Sequence, residues 1–214
     1  MALSFNQQTG SAKKTDLDLY KYVDGANTFR IVGDILPRYL YWINTPDGKN
    51  LPFECLAFDR NEEAFVRRER DWVREFYPDL NCSWSYATQC LVEGAEGPEL
   101  KVLPLKKKLW EQIITAAEDL GDPTDVDNGW DIVFKRVKTG PKSFNVEYQL
   151  QVLKCKNRPL TEEERELIKS LKSTEEIFPR ETPDQQRQKL ESLIETPKET
   201  AEATEELEDE FDMD

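Results

Sequence analysis

The sequence contains no histidine. The side chain that most often serves as a general base near neutral pH, and that most often ligates metals, is therefore missing. Four cysteines are present, Cys55, Cys82, Cys90 and Cys155, and no two stand in C-x-x-C spacing. A zinc site without histidine would need all four from scattered positions, so reduced, buried thiols and no metal are expected. The chain also lacks a Walker-type phosphate loop, a glycine-rich dinucleotide fingerprint and a nucleophile elbow. These absences leave no enzyme signature and call for no cofactor. Neither an N-terminal apolar signal region nor an apolar run of membrane length occurs, so a soluble cytoplasmic protein without a membrane partner is expected. Hydrophobic residues make up 38% and mean hydropathy is −0.72, low enough that part of the chain is expected outside any core.

What is present is unevenly charged. Residues 161–214 hold 19 acids and 7 bases, a net −12, against 24 acids and 22 bases, net −2, in residues 1–160. The pattern describes a nearly neutral body with an acidic appendage. Its tip, EELEDEFDMD (205–214), has seven acids in ten residues, punctuated by Leu207, Phe211 and Met213. A solubilising end would explain the acids but not the apolar teeth.

Strand signals dominate the body. TFRIVGDIL (28–36) and RYLYWIN (38–44) meet at Pro37, and PFECLAF (52–58) resumes after a TPDGKN turn. Phe65, Trp72, Val73 and Phe76 fall at helical spacing, predicting a helix over 60–77. SWSYATQCLVE (83–93) and LKVLPL (100–105) are strands, and KKKLWEQIITAAEDLG (106–121) is an amphipathic helix stopped by Gly121. WDIVFKRVK (130–138) and FNVEYQLQVLKC (144–155) alternate around TGPKS and predict an antiparallel hairpin. Between them, DPTDVDNG (122–129) lacks the ligand spacing of a calcium loop and reads as turns. Thr161 with Glu164 forms a capping box, and Thr182-Pro183 opens a further helix. Residues 1–24 read as a flexible arm ending in a short helix near 17–22. Several strands with inserted helices suggest a small twisted barrel that hides its edges by closure.

Bases interleave with aromatics along these strands. A groove for single-stranded nucleic acid would draw on Arg30, Arg38, Tyr39, Tyr41, Trp42, Lys106, Lys107, Lys108, Trp130, Lys135, Arg136, Lys138, Lys142 and Phe144. Rings stack on unpaired bases and cations track phosphates. Alternation admits only one side of each strand to such a groove, and aromatics in strands usually belong to the core. Two readings stay open on the residues alone, a single-strand binder and a β-domain interaction adaptor or DNA mimic.

The stretches RYLYWINTPDGKNLPFECLAFDR (38–60), LKVLPLKKKLWEQI (100–113), GDPTDVDNGWDIVFKRVKTGPKSFNVEYQL (121–150) and PLTEEE (159–164), with the acidic end, resemble the single-stranded DNA-binding, helix-destabilising proteins of tailed bacteriophages. The resemblance implies a mainly β OB-fold, a five-stranded Greek-key barrel with inserted α-helices and a disordered acidic C-terminal tail. It divides the chain into an arm (1–24), an OB core with a flanking helix (25–178), a helical linker (179–196) and the tail (197–214). It implies sequence-tolerant coating of ssDNA in replication, recombination and repair, in the cytoplasm of the infected host, with self-association along DNA. Some members hold zinc through cysteines and a histidine, and this sequence departs from them there. The tail would compete for the empty groove. Once displaced it would recruit replication and recombination proteins, seating Leu207, Phe211 and Met213 in apolar pockets while Asp209, Glu210, Asp212 and Asp214 meet basic rims.

Overall fold

The computed structural model describes residues 18–45, 50–141 and 145–193. It is mainly β, with an antiparallel sheet and a few helices. The long strand β1 (Gly25–Asn44) organises it by pairing antiparallel with three neighbours in turn. Residues 25–29 pair with β7 (Ile132–Lys138), residues 30–40 with β5 (Ser83–Gly94) and residues 40–44 with β2 (Asn50–Glu54). β5 continues to β6 (Gly97–Leu105) and β7 to β8 (Val146–Leu150), giving the order β6-β5-β1-β7-β8 with β2 off the path.

The two strands expected on either side of Pro37 are thus one. β1 bends where its register against β5 shifts between Val32 and Leu36. Gly33 lies there at φ +79, and a Cβ would press on the Gln89 side chain at 3.4 Å. Both flanks of this irregularity pair with β5, and a bulge of this kind bends the strand and increases its twist.

The amphipathic helix forms as expected: α2 (Lys107–Leu120) buries Leu109, Ile113 and Ala116, and Gly121 ends it at φ +82 with its N–H on the Ala117 carbonyl. That face closes the main core, where Phe29, Ile31, Cys90, Leu103, Trp130, Ile132 and Phe134 are buried. Trp130 also donates its indole N–H to the Gly121 carbonyl (2.9 Å). The 146–150 strand is shorter than the expected 144–155 because a 3₁₀ turn, Val152–Lys154, follows it.

The helix expected over 60–77 is a correction. The stretch instead supplies the turn and second strand of a hairpin, β3 (Phe58–Asp59) with β4 (Ala64–Phe65), and one short helix, α1 (Trp72–Phe76). Asp59 explains the break: its carboxylate accepts from the Asn61 and Glu62 N–H groups (2.8 and 3.0 Å), a local turn that competes with helix. Glu63 and Arg67 then take positive φ (47° and 50°). Asp71 restarts the helix as its N-cap, accepting from the Arg74 N–H.

Two terminal expectations change as well. Residues 18–20 are extended rather than helical. They bridge β6 in parallel, with Tyr20 N–H on the Val102 carbonyl and Val102 N–H on the Asp18 carbonyl (both 2.8 Å). The helix over 183–193, α5, begins at Thr182-Pro183 as read, but it is packed into the body. Leu190 is buried in a second core with Tyr41, Phe53, Phe58 and Val73. Buried Gln186 accepts from Trp72 N–H (2.7 Å) and donates to the Glu54 carbonyl (2.8 Å). Between them, α3 (Glu162–Ile168) carries the capping box expected of Thr161 and Glu164, with both hydrogen bonds present. α4 (Thr174–Ile177) straps β1 through Thr174 Oγ1 on the Asp34 carbonyl (2.9 Å).

Candidate nucleic-acid interface

The candidate residues scatter over three environments. Arg30, Tyr41 and Trp130 are buried. Arg30 threads into the 121–129 loop, donating to the Asp125 carbonyl (2.7 Å) and facing Asp131 at 3.7 Å. The fit needs Gly129, where a Cβ would come within 2.6 Å of the Arg30 guanidinium. Asp122 and Asp125 spend their carboxylates on loop N–H groups, so the aspartate-rich loop is a socket for an arginine. Tyr41 donates to Asp71 (3.2 Å) beneath the second core. None of these three presents a surface to a ligand, which corrects their place in the proposed groove. Tyr41 shares the Tyr39 side of β1 but is covered by the second core, Arg30 is enclosed by the 121–129 loop, and Trp130 lies within the main core.

Arg38 and Trp42 lie on the opposite side of β1 from Tyr39. Arg38 stacks over Phe178 at 4.0 Å and lines a cleft of about 740 Å³ with Leu40, Phe178, Arg180 and Lys189. Trp42 is exposed near the β2 edge, opposite Pro52.

The third environment is a platform of rings. Tyr39 stands directly across from Trp84, and Tyr86 across from Pro37, so all four share one face of the β1–β5 pair. Trp84 and Tyr86 rings are 4.1 Å apart, and Trp110 of α2 meets Tyr86 edge-on at 6.1 Å. On the other flank the β3–β4 hairpin lays Phe65 against Tyr39 at 4.9 Å, over buried Phe58. Phe65 is half exposed and Tyr39, Trp84, Tyr86 and Trp110 are partly so.

Cations adjoin this platform. Leu105 is opposite Tyr86, and Lys106 follows it at the start of α2, one turn before Trp110. The Lys106 ammonium sits 5.5 Å from the Tyr22 ring centre. Burial, and then the nearby Arg136 guanidinium, hold its pKa below the usual lysine value. Lys106 is exposed and Arg136 half-buried, and two neighbouring cations suit a shared anion. Arg136 lies opposite Tyr148 and pairs with Asp24. Tyr22 and Tyr148 rings meet at 5.6 Å. Lys135, Lys138 and Lys108 are exposed and make no ion pair with a described residue, while Lys107 lies 4.0 Å from Glu111. Lys142, Phe144 and the tail residues Leu207 to Asp214 lie outside the described residues.

Of the residues named from the sequence, Tyr39 belongs to the platform and Lys106 adjoins it, whereas Phe65, Trp84, Tyr86 and Trp110 were passed over. The alternation of Trp84 and Tyr86 in SWSYATQC was the available signal. Among the described residues no cluster of three or more Cys, Asp and Glu is arranged to hold a metal. No described helix is long and apolar enough to cross a membrane.

No family model matches the chain. It is similar to a protein of Escherichia phage T5 named a probable ssDNA-binding protein, 30% identical over 163 residues. The alignment takes in 71% of this chain and 60% of that protein, so the chain spans about three fifths of its relative's length. The resemblance to phage proteins of this kind, read from the motifs above, is borne out by that relative.

Proposed function

We propose that the chain binds single-stranded DNA, proceeding from its kinship with that phage protein. The observation that carries the reading is the run of rings Phe65–Tyr39–Trp84–Tyr86–Trp110, with the Lys106 cation one helical turn before Trp110. Stacked bases need faces of this kind, and phosphates need cations beside them. The strand order, with α2 inserted between β6 and β7, supports an OB barrel. In that fold oligonucleotides lie across the second and third strands and the first and fourth inter-strand loops. Trp84 and Tyr86 are on β5, the second strand of the set, and Phe65 is on the long connection after β1. The same proposal takes in sequence-tolerant coating of ssDNA during phage replication, recombination and repair in the host cytoplasm, with the tail recruiting partner proteins.

Titrating the full chain with oligo-dT while following tryptophan fluorescence tests the reading. Quenching that weakens with salt is expected. No binding at low salt, with tight binding to a basic protein instead, would support the adaptor or DNA-mimic alternative. A chain ending at residue 196 is expected to bind oligo-dT at least as tightly as the full chain while losing partner recruitment. Weaker binding by the shorter chain would remove the competition role proposed for the tail.

Lys106→Ala and Arg136→Ala should each flatten the plot of log K against log [salt] by about 0.7, the contribution of one neutralised phosphate on a single strand. An unchanged slope in both variants would place the phosphates elsewhere.

A further inference from the structure

One acid stands inside the platform of rings. The β3–β4 turn ends at Glu63, whose φ of 47° is a conformation that side-chain-bearing residues rarely adopt. Such a backbone persists only where surrounding contacts hold it. Here Tyr86 does so, its phenol donating to Glu63 Oε2 at 2.7 Å. On the far side of Phe65 the hairpin is pinned by the Val66 and Arg67 N–H groups, both on the Ala57 carbonyl (3.0 and 3.2 Å). The carboxylate is thus fixed at the rim of the Tyr86 ring, which lies between Trp84 and Trp110.

By charge alone a carboxylate works against a polyanion, so it favours a strand whose phosphates keep to the Lys106–Arg136 side and whose bases face Glu63. A carboxylate only accepts hydrogen bonds, and it has room for several. Tyr86 uses Oε2, and Oε1 has no hydrogen bond to a described residue. A base stacked on Tyr86 or Trp84 brings its edge to this rim. Cytosine presents there an amino group that Glu accepts from, whereas thymine presents two carbonyl oxygens and a single imino N–H.

We propose that Glu63 is a base-selecting residue, biasing an otherwise sequence-tolerant site toward amino-bearing bases, cytosine above thymine. The inference rests on the ssDNA reading of the same platform. It is tested by fluorescence anisotropy of the full chain with labelled oligo-dC and oligo-dT of equal length, above neutral pH so that cytosine stays unprotonated. Wild type should favour oligo-dC by about fivefold, the low end of what one base-edge contact confers. Glu63→Ala should bring the ratio close to one and tighten oligo-dT, since the repulsion is gone. Tyr86→Phe keeps the ring but frees the carboxylate, and should lower the ratio of oligo-dC to oligo-dT affinity. Equal wild-type affinity for the two oligonucleotides, or a preference that survives in both variants, would overturn the inference. Failure of wild type to bind either one would instead strike the ssDNA reading itself.

Discussion

Trp84→Ala is expected to weaken ssDNA binding by about 1–3 kcal/mol, the loss measured when a base-stacking ring is removed. Trp110→Ala should act in the same direction and range, because its ring completes the far side of Tyr86. The two rings share Tyr86 as neighbour, so their effects are not expected to add. Trp42→Ala is the control. Trp42 is exposed and aromatic too, yet it stands on the side of β1 away from Tyr39, and its loss should leave affinity unchanged. Equilibrium titration of the three variants against one oligonucleotide decides the matter. If Trp42→Ala matched or exceeded Trp84→Ala, the strand would have to run over the Arg38–Phe178 cleft instead.

Trp130→Ala should act on stability. Trp130 is fully buried in the main core and its indole N–H is satisfied by the Gly121 carbonyl. Removing a buried aromatic of this size costs about 3–5 kcal/mol, since the cavity collapses only in part. At this chain length each kcal/mol lowers the melting temperature by about 2–4 °C. A drop of roughly 10 °C is therefore expected in calorimetry, with Trp130→Phe falling between the variant and wild type. Near-native melting of Trp130→Ala would place Trp130 outside the core. The same assay separates Trp130 from Trp84, whose partly exposed ring should move binding far more than melting.

Much of this molecule was legible in its sequence where local rules agree with the tertiary structure. Thr161 and Glu164 make their reciprocal bonds because both partners lie within one helical turn. The α2 face is set by 3.6-residue periodicity, and the 130–150 hairpin by alternation, so each element carries its own instructions. The region 60–77 misled for the converse reason. Phe65, Trp72, Val73 and Phe76 keep helical spacing, but Asp59 offers the backbone a turn, and Phe65 packs against Tyr39 and Phe58 in a hairpin instead. Periodicity registers spacing and cannot register that competition.

The sequence by itself determined the mainly antiparallel β body, its inserted helix, the acidic C-terminal stretch and the resemblance to phage ssDNA-binding proteins. These follow from local propensity, composition and motif, which are properties of short stretches. Only the tertiary structure decided which rings and cations are available. Arg30 and Trp130 look like ligands in a string of bases and aromatics, but the 121–129 loop and α2 close over them. Tyr39 and Trp42 look equivalent in RYLYWIN, but strand alternation sends them to opposite faces. Trp84, Tyr86, Trp110 and Glu63 become one surface only when β5, α2 and the hairpin converge. That convergence depends on β1 being one strand that pairs in turn with β7, β5 and β2, partners far apart in the chain.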